Sequence, residues 1–362
     1  MLPTFAYSVT NLAVSSITSL FISHHIHAQS DWASSQWLNL PDDVPDNQLR
    51  ATISIPLSSG QNNQQDTTGA VTRGTCFVAG LGYQRTWLNG RLLTTSGDIE
   101  EEEPEALGPI AQFQRRVPYQ TYDVTSLLQP GNNTIAVEIG RGWYALPRDA
   151  FTQVLGWQQL GNRTLRMICR VTFDNGQTTE FNTGSAQWAW RLGAGELVRD
   201  HLFLGPTIDK TKATPEWKTT SFDDSTWTVL QPAPPGTSPI GEMHSFVIPL
   251  IRRHEPRSPV AIQRINDTTF VLDFEVNQAM QCELHIQTDG TQEPGEIVLH
   301  LLHDEQVNED GEVVISNDLG NVADQTTFIL DGSAGVQTFD TTFSYVLRVV
   351  LCVGALLVSE LL

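Results

Sequence analysis

The stretch Leu165-Arg166-Met167-Ile168-Cys169-Arg170-Val171-Thr172-Phe173-Asp174-Asn175-Gly176 decides the fold class. Leu165, Met167, Cys169, Val171 and Phe173 recur at every second position, with Arg166, Arg170 and Thr172 among the residues between them. Side chains alternate across a strand, so this period of two reads as a strand with one buried face. Asp174-Asn175-Gly176 then provides turn residues before Thr178 to Phe181, which completes a β-hairpin. A second hairpin spans Tyr83 to Leu93, where Asn89-Gly90 provides the two positive-φ residues of a tight type I′ turn.

The same pattern continues into the second half. Thr269 to Phe274, Gln281 to Gln287, Glu296 to Leu302 and Gln325 to Leu330 read as strands, separated by the turn signals Asp289-Gly290, Pro294-Gly295 and Asp331-Gly332. Helical periodicity is hard to find. Short strands with closely spaced turns predict an all-β chain of two antiparallel, jelly-roll-like β-sandwiches in tandem. Four prolines within Gln231 to Ile240 exclude a central strand there and mark the boundary. The expected domains are residues 31–240 and 245–354, with a tail over 355–362.

Composition narrows the partners. The chain has 362 residues, of which 40% are hydrophobic and 17% charged, so it holds enough apolar sequence for real cores. With 41 acidic against 21 basic residues its net charge is −20, which repels phosphate backbones and anionic lipid. Nucleic acid is excluded as a partner on that ground, and a membrane partner is not expected. The apolar run Val349 to Val358 has ten residues, about half of what a membrane-spanning helix needs. The acidic run Glu100 to Glu103, with Glu105, reads as a solvated loop.

Residues 1–28 read as a secretory leader, with an apolar stretch from Leu12 to Ile22 ahead of Ile26-His27-Ala28. Export predicts a secreted, extracellular protein, with glycosylation at Asn132, Asn162 and Asn266, each followed two residues later by Thr. Cys76, Cys169, Cys282 and Cys352 lie far apart in apolar runs, with no Cys-x-x-Cys spacing, and are expected to be buried free thiols.

Several motifs then line up in order: Gly82-Tyr83; Trp87-Leu88-Asn89-Gly90; Val117-Pro118-Tyr119-Gln120-Thr121-Tyr122-Asp123-Val124-Thr125; Gly131-Asn132-Asn133; and Gly140-Arg141-Gly142-Trp143-Tyr144. Together they resemble the N-terminal β-sandwich of bacterial-type α-L-rhamnosidases. Pro215-Glu216-Trp217 and Phe222-Asp223-Asp224-Ser225-Thr226-Trp227 fit the end of that domain. Leu272-Asp273-Phe274, Asn277, His303, Glu305, Glu309-Asp310-Gly311 and Arg348 look like the concanavalin-like sandwich that follows it in the family.

Each motif also has a reading of its own. Asp123 or Thr125 can cap the turn into Ser126-Leu127-Leu128. Ile135 to Ile139 reads as a central strand leading to a loop that displays Trp143 and Tyr144. An aromatic face and a few polar groups are what sugar recognition uses, so these two are the candidate carbohydrate-binding residues, with Trp157, Trp188 and Trp190 behind them.

Glycoside hydrolysis needs two carboxylic groups about 5 to 10 Å apart across one bond. The resemblance implies that those groups, which invert the anomeric centre, sit in an (α/α)6 barrel after the second sandwich. The chain ends eight residues past Gly354, which leaves no room for such a barrel. No catalytic residue is therefore expected here. Asp223-Asp224, Glu293, Glu296 and Asp304-Glu305 read as turn-capping or solvated groups. A spacing of three puts His300 and His303 on opposite strand faces, so no metal site is expected, and no cofactor. Some sandwiches resembling the first one bind L-rhamnose through calcium, but Arg141 stands before Gly142-Trp143-Tyr144 and cannot ligate it. The expected function is a monomeric, non-catalytic region of an α-L-rhamnosidase-like glycoside hydrolase, at most binding rhamnose-containing carbohydrate. The alternative is a piece of an active α-L-rhamnosidase that cleaves terminal α-L-rhamnose with a barrel from a longer chain.

Overall fold

A computed structural model describes residues 5–13, 32–42, 45–55, 69–94, 111–149, 152, 159–185, 188–246, 252–304, 325–340 and 345–354. Among the described residues the architecture is all-β, as expected, and is built from three sheets. The first has the order Thr178–Asn182, Thr164–Phe173, Val71–Leu81, Arg116–Asp123, Glu242–Ser245. The second runs Thr228–Val229, Arg191–Gly193, Gln48–Ile55, Gly131–Gly140, Tyr83–Leu88, Arg91–Leu92. One core lies between these two sheets and explains their alternation. Leu165, Met167, Cys169, Val171 and Phe173 all enter it from the first sheet, and Leu49, Ala51, Ile53, Ile135, Val137 and Ile139 from the second. Each side chain of that size is worth roughly 1.5–3 kcal/mol once fully buried.

The turns follow the residues. Asn89 and Gly90 have φ of 52° and 81°, and the strands they join pair Leu88 with Arg91. Thr178 pairs with Thr172 across the Asp174-Asn175-Gly176 turn. Asp123 caps its turn by accepting from the Thr125 N–H at 2.9 Å. The Gly131–Gly140 strand is central, flanked by Gln48–Ile55 and Tyr83–Leu88.

The third sheet gathers Gln325–Ile329, Val298–Asp304, Tyr345–Gly354 and the 21-residue Thr269–Asp289 around a second core of Leu272, Phe274, Leu284, Leu299, Phe328 and Phe339. The stretches read as separate strands, Thr269 to Phe274 and Gln281 to Gln287, are one strand with a register shift between Asp273 and Gln278, where Glu275 has φ of 68°. The sheets do not divide the chain at a single point. Leu197–Arg199 and Thr207–Asp209 join the third sheet through a parallel pairing of Thr207–Asp209 with Gln325–Ile329. Of residues 1–28, Phe5–Ala13 is a strand between Thr269–Asp289 and Arg252–Arg257, and the rest lies outside the described residues.

The expectation of four free thiols is corrected. Cys76 and Cys169 form a disulfide. The antiparallel register of Val71–Leu81 and Thr164–Phe173 sets them directly opposite each other, and alternation turns both into the same core. Cys282 lies outside this disulfide and is buried. The Cys352 side chain, Glu100 to Glu103, Glu105, Trp157, Glu305, Glu309-Asp310-Gly311 and the 355–362 tail lie outside what is described.

Candidate functional site at the end of the central strand

The Gly140-Arg141-Gly142-Trp143-Tyr144 segment leaves the central strand against the turn at Gly82. Gly142 has φ of 46°, and a Cβ built on it would lie 2.5 Å from the Gly82 carbonyl carbon. Only glycine permits this backbone contact, which joins two motifs far apart in sequence. The contact also sets the direction of the loop, and with it the fate of the two aromatic residues.

Tyr144 does not stand in solvent as expected. It is 2% exposed and packs edge-on against Phe113, with ring centroids 4.9 Å apart. Burial also pushes its phenol upward from the ordinary range. Trp143 remains half-buried and meets Phe203 edge-on at 5.6 Å. Trp188 and Trp190 are core residues, 2% and 1% exposed.

At the end of the central strand, where Ile139, Gly140 and Arg141 line it, is a cavity of about 280 Å³, at the small end of the size range of ligand sites. Arg141, Asp149 and Arg163 line it together with Arg199, Asp200 and His201. The Arg141 backbone N–H donates to Asp200 Oδ2. Its guanidinium donates from Nη1 to Asp42 Oδ1 at 2.6 Å and from Nη2 to the Asp42 carbonyl at 2.9 Å. Burial raises the Asp42 carboxyl, but hydrogen bonds from Gln159 and Arg141 outweigh it and hold the group below its usual range. The Arg163 guanidinium, 4% exposed, donates to the carbonyls of Asp46 and Pro41 at 2.9 and 3.2 Å.

His201 Nδ1 accepts from the N–H groups of Phe203 and Leu204 at 3.2 and 3.0 Å, so its proton sits on Nε2, 2.9 Å from Asp149 Oδ2. Burial pushes the imidazole downward despite that carboxylate. Asp200 is driven up to about 6 by burial, against the Arg141 N–H and the charges of Arg163 and Arg141. The carboxylates around the cavity are thus engaged by protein donors: Asp42 by Arg141 and Gln159, Asp149 by His201, Asp200 by Arg141.

The other acidic candidates have structural partners. Asp223 Oδ1 accepts from the Ser225 N–H at 2.9 Å, and Asp224 pairs with Arg50. Glu296 accepts from the Glu293 N–H at 2.8 Å. His303 is buried while His300, three residues away, contacts Thr327 and Gln325 on the other face. Sequence reading missed Asp149, Arg163, Asp200 and His201. The triplet Arg199-Asp200-His201 directly after apolar Leu197-Val198 was the signal available.

The model of the α-L-rhamnosidase N-terminal domain family matches residues 69–255, just over half of the chain. The chain belongs to this family. The cavity residues from Arg141 to His201 all lie inside the matched rhamnosidase region. An α-L-rhamnosidase of Streptomyces avermitilis is 27% identical over 325 residues, covering 87% of this chain and 27% of that protein. One from Formosa agariphila is 22% identical over 280 residues, 71% of this chain and again 27% of the relative. The chain therefore spans about a quarter of the length of these rhamnosidases. The fold is that of the Streptomyces avermitilis α-L-rhamnosidase complexed with L-rhamnose, with a TM-score of 0.70 at 24% identity over 88% of this chain and 27% of that one. The Dictyoglumus thermophilum enzyme gives 0.69 at 22% identity over 90% of this chain and 34% of the other.

Proposed function

We propose that this chain is a non-catalytic, carbohydrate-binding region of a secreted α-L-rhamnosidase-like glycoside hydrolase, and that it takes rhamnose-containing glycans as a monomer. The family match over residues 69–255 carries the reading. A polar cavity lined by Arg141, two residues before the half-buried Trp143, supports it, because a sugar ring presents an apolar face to an aromatic side chain and hydroxyls to polar groups. Secretion, and N-glycosylation of Asn132, Asn162 or Asn266, belong to the same reading.

Calorimetric titration with L-rhamnose tests it. Saturable heat that is lost in Trp143→Ala, with the melting temperature retained, supports binding at this site. No heat at millimolar sugar removes it.

A further inference from the structure

Two side-chain oxygens at the cavity are buried without a hydrogen-bond donor. Asn47 is 1% exposed; its Nδ2 donates to the Leu197 carbonyl at 3.3 Å, and its Oδ1 accepts from nothing among the described residues. Asp200 Oδ2 accepts from the Arg141 N–H, while its Oδ1 is buried and likewise has no partner among them. Both residues line the cavity. Leaving a buried polar atom unpaired costs about 1–3 kcal/mol, so each of these oxygens calls for a partner.

The charged groups that face Asp200 come from several elements. Glu138 and Arg141 belong to the central strand and the loop after it, and Arg163 precedes the Thr164–Phe173 strand. On its own segment Asp200 adjoins Arg199 and His201, and the His201 imidazole is turned to Asp149 at 2.9 Å. Burial drives the Asp200 carboxyl up to about 6 against the charges of Arg163 and Arg141. In its acid form the carboxyl carries a hydrogen and becomes a donor. Arg199 adds a second donor group, since it lines the cavity, is exposed, and its guanidinium has no hydrogen bond or ion pair among the described residues. A guanidinium next to a carboxylic acid suits an incoming carboxylate, whereas Asn47 Oδ1 suits a hydroxyl. A sugar acid carries both groups on one small ring.

We propose that the cavity takes a hexuronic acid unit of a glycan, its carboxylate held by Arg199 and the acid form of Asp200 and one ring hydroxyl donating to Asn47 Oδ1. This rests on the carbohydrate-binding reading above and adds an acidic unit to the glycan. Two ionised carboxylates repel each other, so the ligand binds as Asp200 takes up one proton from solvent.

Calorimetry titrates the full chain with sodium D-glucuronate, and with D-glucose as the neutral match, at pH 5 and pH 7. Glucuronate is expected to bind about tenfold or more tightly than glucose. It should also bind about tenfold more tightly at pH 5 than at pH 7, because the acid form of a group titrating near 6 falls from about nine-tenths to about one-tenth over that span. Arg199→Gln should abolish the preference for glucuronate over glucose. Asp200→Asn, which keeps a donor but cannot ionise, should bind glucuronate equally at both pH values, with thermal melts confirming that each variant is folded. Equal binding of the two sugars, or an affinity for glucuronate that does not fall with rising pH, overturns the proposal. L-rhamnose titrated into the same protein separates the outcomes: heat from rhamnose with none from glucuronate removes the acidic unit alone, and heat from neither removes the carbohydrate-binding reading with it.

Discussion

Arg50 Nη1 stands 3.0 Å from Asp224 Oδ2, on the outer side of the second sheet, with the guanidinium only 1% exposed. Nη1 also donates to the Phe222 carbonyl at 2.8 Å, and Nη2 to the Thr219 carbonyl at 2.7 Å. The Phe222-Asp223-Asp224-Ser225-Thr226-Trp227 motif is therefore a clasp that neutralises a buried cation, rather than a pair of acids for chemistry.

Asp224→Ala should be strongly destabilising, by about 3 kcal/mol, because it leaves the Arg50 charge buried without its carboxylate. Asp223→Ala, which removes an exposed turn cap, should cost much less. Urea denaturation of both variants checks the order; equal effects would contradict the assignment.

Joining Cys76 to Cys169 closes a long loop, a sequence separation of 93 residues. The double variant Cys76→Ala/Cys169→Ala should lose about 2–4 kcal/mol and melt at lower temperature. Thiol labelling of the unreduced, unfolded chain should modify Cys282 and spare Cys76 and Cys169, which peptide mapping reads directly.

The raised Asp200 carboxyl makes stability depend on pH. Its value of about 6 lies above the ordinary 3.8, so between those values the folded chain binds more protons than the unfolded one. Stability is then favoured below about pH 4, falls as pH rises through about 6, and by pH 7 has lost roughly 2–3 kcal/mol from this group. Asp200→Asn should flatten the melting temperature over that window and raise it at pH 7. An unchanged profile would place the titration elsewhere.

A Cβ at position 142 meets the Gly82 backbone, and φ of 46° is strained for any other residue. Gly142→Ala should displace the loop that carries Trp143 and abolish sugar binding, with a stability loss of about 1–3 kcal/mol. Calorimetry paired with thermal melts separates the two effects.

What the sequence made legible was local. The Leu165 to Phe173 alternation, the Asn89-Gly90 turn and the Ile135 to Ile139 strand each depend on a few neighbouring residues, and each formed as read. The Cys76–Cys169 pairing depends on a register between distant strands, which no spacing rule contains. Tyr144 turned inward because Gly82 and Gly142 touch, another contact between distant segments. The run from Thr269 to Gln287 was read as two strands since Glu275-Val276-Asn277 breaks the alternation, yet the chain absorbs the break as a register shift and continues. Asp149, Asp200 and His201 read like ordinary loop polars until the first sandwich and the third sheet bring them to one cavity.

The most direct measurement titrates p-nitrophenyl α-L-rhamnoside into the purified 362-residue chain, following heat and p-nitrophenolate absorbance together. The expected result is saturable binding that Trp143→Ala removes, with no release of p-nitrophenolate. Release above the uncatalysed rate, or the absence of any binding, would contradict it.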